Sequence, residues 1–390
     1  MGKGGRGIGD NQSFYILYKE AHMTTLTRTP HQRVQIITPT RFTIRASKWW
    51  LWMILWVSLA CMFFIRIGIG SVNIPLEDIL RVLAGDVASK SSWTTIVKDV
   101  RLPRALTALF AGASLGVAGL MLQTFFRNPL AGADVLGISS GASLGVAMVV
   151  LSTSTIGGTL IAGAGVVSDM SMAGAALAGA SLTFLVIMLI ARGVQNQTTL
   201  LILGMMVAAL TSALVSLLMY FAIPDQLNAF VRWTFGSFDG VKWSELIVFA
   251  PLSLLGLVLT IFCIKPLNAL LLGEAYARSM GVRIGRVRLG IISITALLVG
   301  SITAFCGPIG FIGIAVPHLC RFAFRTSDHR ILIPATMGVG GIVALVAAMI
   351  AQVPNSQTVL PLNPIMALLG APVVIWVIWR SRGSGRVFGG

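Results

Sequence analysis

Apolar runs long enough to cross a bilayer recur along this chain from residue 48 to residue 380, joined by short polar links. A helical span needs roughly 20 apolar residues. Read at that length, the runs fall at about 48–68, 105–125, 136–152, 171–191, 198–221, 243–264, 287–305, 309–324, 331–351 and 364–380. The third and eighth are short. Several contain Gly or Pro, which spans tolerate where neighbouring helices cover the freed backbone groups. Only 11% of the residues are charged, against about 25% in soluble domains. The sequence therefore predicts an all-α polytopic membrane protein of about ten transmembrane helices.

The formal net charge is +16, and its distribution argues against nucleic-acid binding. Basic residues gather in the N-terminal tail, in 265–288, around Arg321–Arg330 and near the C-terminus. These segments lie on one side of a ten-span topology, which predicts both termini in the cytoplasm. Residues 1–47 are expected to be a polar tail, with Met23 an alternative start, and 383–390 a second short tail. The opening GKGGRGIGD lacks phosphate-loop spacing. The first apolar run is followed by no small-x-small cleavage site and reads as a retained span. Cys61, Cys263, Cys306 and Cys320 lie in or beside apolar runs without CxxC spacing, so neither a disulfide framework, a metal site nor a cofactor is implied.

Small residues are used densely. GASL occurs at 112–115, 141–144 and 179–182. Gly112/Gly116 and Gly141/Gly145 are four apart, a spacing that lets helix backbones approach closely in lipid. The halves also echo one another. RLPR leads one Gly/Ala-rich span, followed by NPLAGADVLGIS and a short span. RVRLG leads another, followed by GPIGFIG and a short span. The two leading spans run in opposite directions, which predicts an inverted repeat of spans 2–5 and 7–10.

No Asp or Glu falls at the centre of a predicted span. Ion-coupled transporters need ionisable groups there to bind the coupled charge. His318, in VPHLCR, is the one His within an apolar run, and it is either an interfacial residue or a relay. An ion-coupled secondary transporter and a membrane-embedded enzyme using His318 are the rival readings. The first lacks mid-span carboxylates, and the second lacks a partner group. The chain has no nucleotide-binding motif of its own, so active transport would take its energy from another polypeptide.

Two polar segments stand out. In 66–104, VNIPLEDILRVLAG places Ile74, Ile79, Leu80 and Leu83 on one face of a short surface helix, and RLPR closes the segment. This basic cluster on the outer side is either simple solvation or a docking surface for an acidic partner. In 265–288, Pro266 is expected to start one short helix and Gly273 to break it. Glu274 would begin a second helix, favourable against its positive end, with Arg278 within pairing reach and Gly281 ending it. Such a knob suits a groove on a cytoplasmic partner.

RLPRALTALFAGASLGVAGLMLQTFFRNPLAGADVLGISSGAS (101–143), GEAYARSMGV (273–282), GPIGFIGIAVPHLCR (307–321), DHRILIP (328–334) and LGAP (369–372) together resemble the FecCD permease family. Those are the importer subunits for ferric siderophores, haem and cobalamin. The resemblance covers about 48–382 and implies a permease, not an enzyme, in a bacterial cytoplasmic membrane. It also implies a homodimer, or a heterodimer with a paralogue, with the path at the dimer interface. Two copies of a cytoplasmic ATPase and an extracytoplasmic binding protein would complete it. Gly273, Glu274, Ala275, Arg278, Met280 and Gly281 would then belong to the ATPase-coupling knob. Arg101 and Arg104 would meet acidic residues of the binding protein, and Arg232, within the outer gating segment at 225–240, would add to that docking. The run VLPLNPIMALLGAP (359–372) departs from the family's acidic-Leu-Pro-x-Gly pattern, so the outer end of the last span is left open as a docking or gating feature.

Overall fold

The computed structural model describes residues 49–151, 169–194, 196–352 and 359–382. The expected tails at 1–47 and 383–390, with the alternative start at Met23, lie outside the described residues.

The predicted spans appear as helices α1 (Trp49–Gly68), α4 (Leu102–Phe125), α5 (Ile138–Leu151), α6 (Asp169–Gly193), α7 (Gln197–Tyr220), α9 (Trp243–Leu271), α11 (Ile284–Cys306), α12 (Ile312–Phe324), α13 (His329–Ala351) and α14 (Leu362–Arg382). Between them lie α2 (Leu76–Leu83), α3 (Ser91–Thr95), α8 (Pro224–Thr234) and α10 (Glu274–Ser279). Helix α4 is almost wholly buried, whereas α1 and α7 expose most of their apolar surface. Apolar residues all round a helix suit it either to a protein core or to lipid.

The packing repeats itself between the halves. Helix α4 packs on α13 as α11 packs on α6, and α5 packs on α6 as α12 packs on α13. The pairs α5–α7 and α12–α14 match, as do α4–α12 and α11–α5. Exchanging the two sets of four helices therefore maps the contacts onto themselves, as the inverted repeat requires. The two short helices share a cause. Each is preceded by irregular backbone: the tight turn Ala133–Leu136 before α5, and Gly307–Phe311 before α12. Non-helical backbone within a bundle is tolerated where protein or a water-filled cavity satisfies its polar groups.

The GASL glycines lie at close crossings. A Cβ on Gly112 would stand 2.1 Å from the Gly340 carbonyl oxygen, and one on Gly145 would stand 2.1 Å from that of Ala175. Gly116 meets Thr336 at 3.0 Å, and Gly141 faces Thr183 and Gly179. These positions join α4 to α13 and α5 to α6.

Two local expectations are corrected. Pro266 does not start a helix, because α9 runs through Pro251 and Pro266 to Leu271. Its 29 residues span about 44 Å at 1.5 Å per residue, against a hydrocarbon core of about 30 Å. A tilted or projecting α9 thus carries α10 directly on its end. On α2, the buried face is Ile79, Val82 and Asp78, with Ile74 just before it, while Leu80 is exposed. Asp78 turns inward because Ser89 N and Oγ donate to its Oδ1 at 2.8 and 2.7 Å. Those two bonds hold its carboxyl below the usual carboxylate range.

Candidate functional site

At one end of the bundle, α10 forms a short helix standing on the end of α9. Gly273 precedes it with φ +112°, a conformation that glycine adopts without steric cost. Its closure is equally defined. Gly281, at φ +82°, donates its N–H to the Arg278 carbonyl at 2.9 Å, and Val282 N donates to the Ala277 carbonyl at 3.0 Å. This pair of bonds caps the helix end in the Schellman arrangement.

Glu274 accepts from Gln197 Nε2 at 2.6 Å and pairs with Arg278 at 3.6 Å. The first bond ties α10 to the start of α7 and was not visible in the local sequence. Ala277 is fully buried against the bundle, while Ala275, Tyr276, Arg278, Met280 and Gly281 are exposed. The knob therefore has an inward anchor and an outward surface of mixed apolar and basic character. Arg127 braces its root by donating to the Leu270 carbonyl at 2.9 Å.

Behind the knob lies a polar cluster that runs from half-buried Asn268 and Asp328 to buried His329 and Thr124. Asn268, in the last turn of α9, donates to Asp328 at 2.6 Å, and its Oδ1 faces His329 N at 2.9 Å and Nδ1 at 2.7 Å. His329 Nε2 lies 2.9 Å from Thr124 Oγ1 on α4. His318 Nε2 is 2.9 Å from the Pro129 carbonyl. In this structure His318 is thus a strut between α12 and the segment after α4.

The opposite end holds the arginines expected to dock a partner. Arg101 is 4% exposed. It donates to the carbonyls of Ile67 at 2.9 Å, Gly68 at 2.8 Å and Val72. Its position departs from the expectation of a docking residue, because those carbonyls occupy the guanidinium at the end of α1, where cations are favoured. Arg288, which leads α11, likewise donates to carbonyls at the end of α6, those of Ala191 at 3.5 Å and Val194. The RLPR/RVRLG echo thus includes one shared device, an arginine closing the carbonyl end of a neighbouring span.

Arg104 is different. Its side chain is 29% exposed and pairs with Asp239 at 3.5 Å. Asp239 also accepts from the buried Arg66 at 3.1 Å, and Arg66 reaches Gln352 at 3.0 Å. One carboxylate thus faces two cations, which leaves the site net positive. Arg232 is exposed on α8. The structure brings neither Arg101 nor Arg232 into the Arg66–Asp239–Arg104 cluster.

The departure at the last span resolves into one residue. Asn363 Nδ2 donates to the carbonyls of Thr234 at 3.0 Å and Pro308 at 2.7 Å, and its Oδ1 accepts from Gly310 N at 3.1 Å. It thereby joins α8, the irregular run before α12 and the start of α14. The Asn in VLPLNP was readable in the sequence, but not its three partners.

Among the described residues, no group of His, Cys, Asp and Glu is arranged to hold a metal ion. What the geometry offers is a rigid knob at one end, a net-positive patch at the other and a bundle of close helix crossings between them.

Residues 58–380 match the FecCD transport family. The vitamin B12 import system permease protein BtuC of Klebsiella pneumoniae subsp. pneumoniae is 38% identical over 289 residues, covering 74% of this chain and 83% of that protein. The same-named protein of Escherichia coli O9:H4 is 34% identical over 319 residues, covering 80% and 94%. A solved structure of a metal-chelate type ABC transporter in an inward-facing conformation superposes with a TM-score of 0.73 at 28% identity. It covers 85% of this chain and 99% of that one.

Proposed function

Since the chain belongs to the FecCD transport family and is a permease subunit of an ABC importer, we propose that it carries a bulky metal chelate, with cobalamin the first candidate. The observation that supports this cargo is the likeness, over most of the chain, to permeases named for vitamin B12 import. Ferric siderophores and haem are the other chelates of the expected class. The ion-coupled alternative finds no support in these relatives.

In this reading the membrane is a bacterial cytoplasmic membrane with both termini inside. A second permease copy, or a paralogue, packs beside the first, and lipid covers the remaining apolar surface. The exposed apolar faces of α7 and α14 are suited to both. The cytoplasmic ATPase grips the outward surface of α10, with Gly273 and Gly281 setting its shape and Glu274 holding it to α7. Ala275, Arg278 and Met280 meet the ATPase. Loaded binding protein docks at the opposite end through acidic groups on Arg104 and Arg232, and charge complementarity speeds and orients the encounter. Arg101 supports that surface from beneath.

The cargo is tested by competition in cells expressing the permease with its ATPase and binding protein. Uptake of labelled cyanocobalamin is expected to fall with excess unlabelled cobalamin and to be indifferent to a ferric siderophore or to haem. Uptake of a siderophore or haem without uptake of cobalamin would move the cargo to that chelate.

A further inference from the structure

The knob stands on the end of α9, which packs on α4, but the most extensively packed pair, α4–α13, does not include α9. The polar cluster at Asn268 bonds α9 to both. Asp328 is the N-cap of α13, with its Oδ1 accepting from Arg330 N at 2.9 Å. A carboxylate only accepts, so the Asn268 group 2.6 Å away must be the amide Nδ2 donating. That fixes the orientation of the amide, and Oδ1 is left as the acceptor facing α13. It receives His329 N–H at 2.9 Å, and the ring Nδ1 at 2.7 Å must then carry a hydrogen as well.

The tautomer follows from this network. With Nδ1 protonated, Nε2 of the neutral ring accepts, and the Thr124 hydroxyl 2.9 Å away donates to it. The same hydroxyl has the Leu120 carbonyl at 3.0 Å as its alternative acceptor. Every bond from Asp328 through Asn268 to His329 therefore has a single donor direction, and with the ring neutral the Thr124 hydroxyl extends the chain to α4, with the Leu120 carbonyl as its second acceptor. His329 is 1% exposed, and buried polar networks of this kind specify one arrangement strongly.

We propose that Asn268 is the positioning residue that carries motion of the knob into the α4–α13 pair. This rests on the importer reading above. Asn268 lies three residues from the end of α9, and its amide is bonded at once to the N-cap and the first residue of α13. When the ATPase displaces α10, the last turn of α9 moves, and α13 follows through three hydrogen bonds. Helix α4 follows through Thr124 and through the backbone contact at Gly112 and Gly340.

The experiment uses the permease–ATPase complex with spin labels at Ser279 on α10 and Arg330 on α13, both exposed. Their separation is measured by pulsed EPR without nucleotide and with a non-hydrolysable ATP analogue, beside the rate of ATP hydrolysis. In the unsubstituted complex both labels shift relative to a reference label on α1 while keeping their mutual separation. In Asn268→Leu the separation is expected to change on nucleotide binding while hydrolysis continues. Asn268→Asp sets two carboxylates face to face and is expected to behave likewise. The swapped pair Asn268→Asp with Asp328→Asn restores a donor opposite an acceptor and is expected to recover the fixed separation. Residues along a coupled network typically change coupling by about 2- to 30-fold, so partial recovery in the swap counts in favour. An Asn268→Leu complex that hydrolyses ATP with its separation held as in the unsubstituted protein overturns the proposal. A swap no better than Asn268→Asp alone overturns it too. A complex that neither binds nor hydrolyses ATP counts against the importer reading instead.

Discussion

Arg101→Glu is expected to remove the folded permease from the membrane, whereas Arg104→Glu is expected to leave it assembled and stop uptake. The two arginines are three residues apart in RLPR, and the sequence gives them the same expected role. In the structure Arg101 is buried and holds three carbonyls at the end of α1. A glutamate there would place a carboxylate against carbonyl oxygens and lose hydrogen bonds from a charged donor, each worth about 1.5–3 kcal/mol. Arg104 is partly exposed, and Arg66 remains to hold Asp239 if it is lost. Reversing it places two carboxylates side by side on the docking face, where like charges oppose an acidic partner by several kcal/mol, enough for roughly a tenfold or larger loss of uptake. Membrane levels by immunoblot, gel filtration of the solubilised complex and uptake together separate the two outcomes. Equal loss of protein in both variants would show that Arg104 is a strut like its neighbour.

Gly112→Leu is the substitution expected to disturb the bundle most. A Cβ alone would lie 2.1 Å from the Gly340 carbonyl oxygen and 2.6 Å from the Ala344 Cβ. Both obstacles belong to the facing helix and neither can rotate away. The α4–α13 pair must therefore separate, which loses packing along both helices and costs ~3 kcal/mol or more. Helix association in lipid rests on such close approach, because lipid tails are as apolar as the helices they would replace. Gly290→Leu, where a Cβ meets nothing within 4 Å, provides the control. The expected result is loss of the Gly112 variant from the membrane, or a lowered thermal midpoint in detergent, with the control unchanged. Equal thermal midpoints would mean that the pair tolerates a wider spacing.

Much of this fold was readable because its signals are local or periodic. Apolar length located each span to within a few residues, although α9 extends well past its expected end. The GASL spacing marked real backbone crossings, and the two halves announced their repeat through short motifs. The knob was also legible at Gly273, Glu274, Arg278 and Gly281, whose effects act within one turn. What the sequence hid is non-local. Whether an arginine is a strut or a docking group depends on carbonyls some thirty residues away, as Arg101 shows. Asn268 looks like an ordinary residue at a helix end until α13 and α4 are placed beside it. Pro266 carries a helix-start signal, but the helix it was expected to begin was already running and continues for five more residues despite the donor that proline lacks.

We infer that energy enters through α10 from a separate ATPase and not from an ion gradient. The direct measurement is uptake of labelled cyanocobalamin, or of the chelate identified by competition, into proteoliposomes. These would hold the permease alone or with its ATPase and loaded binding protein, with either ATP or an imposed proton or sodium gradient. Uptake is expected only when ATPase, binding protein and ATP are all present, and is expected to be lost when Gly273–Gly281 is replaced by a flexible linker of equal length. Uptake by the permease alone under an ion gradient would contradict it.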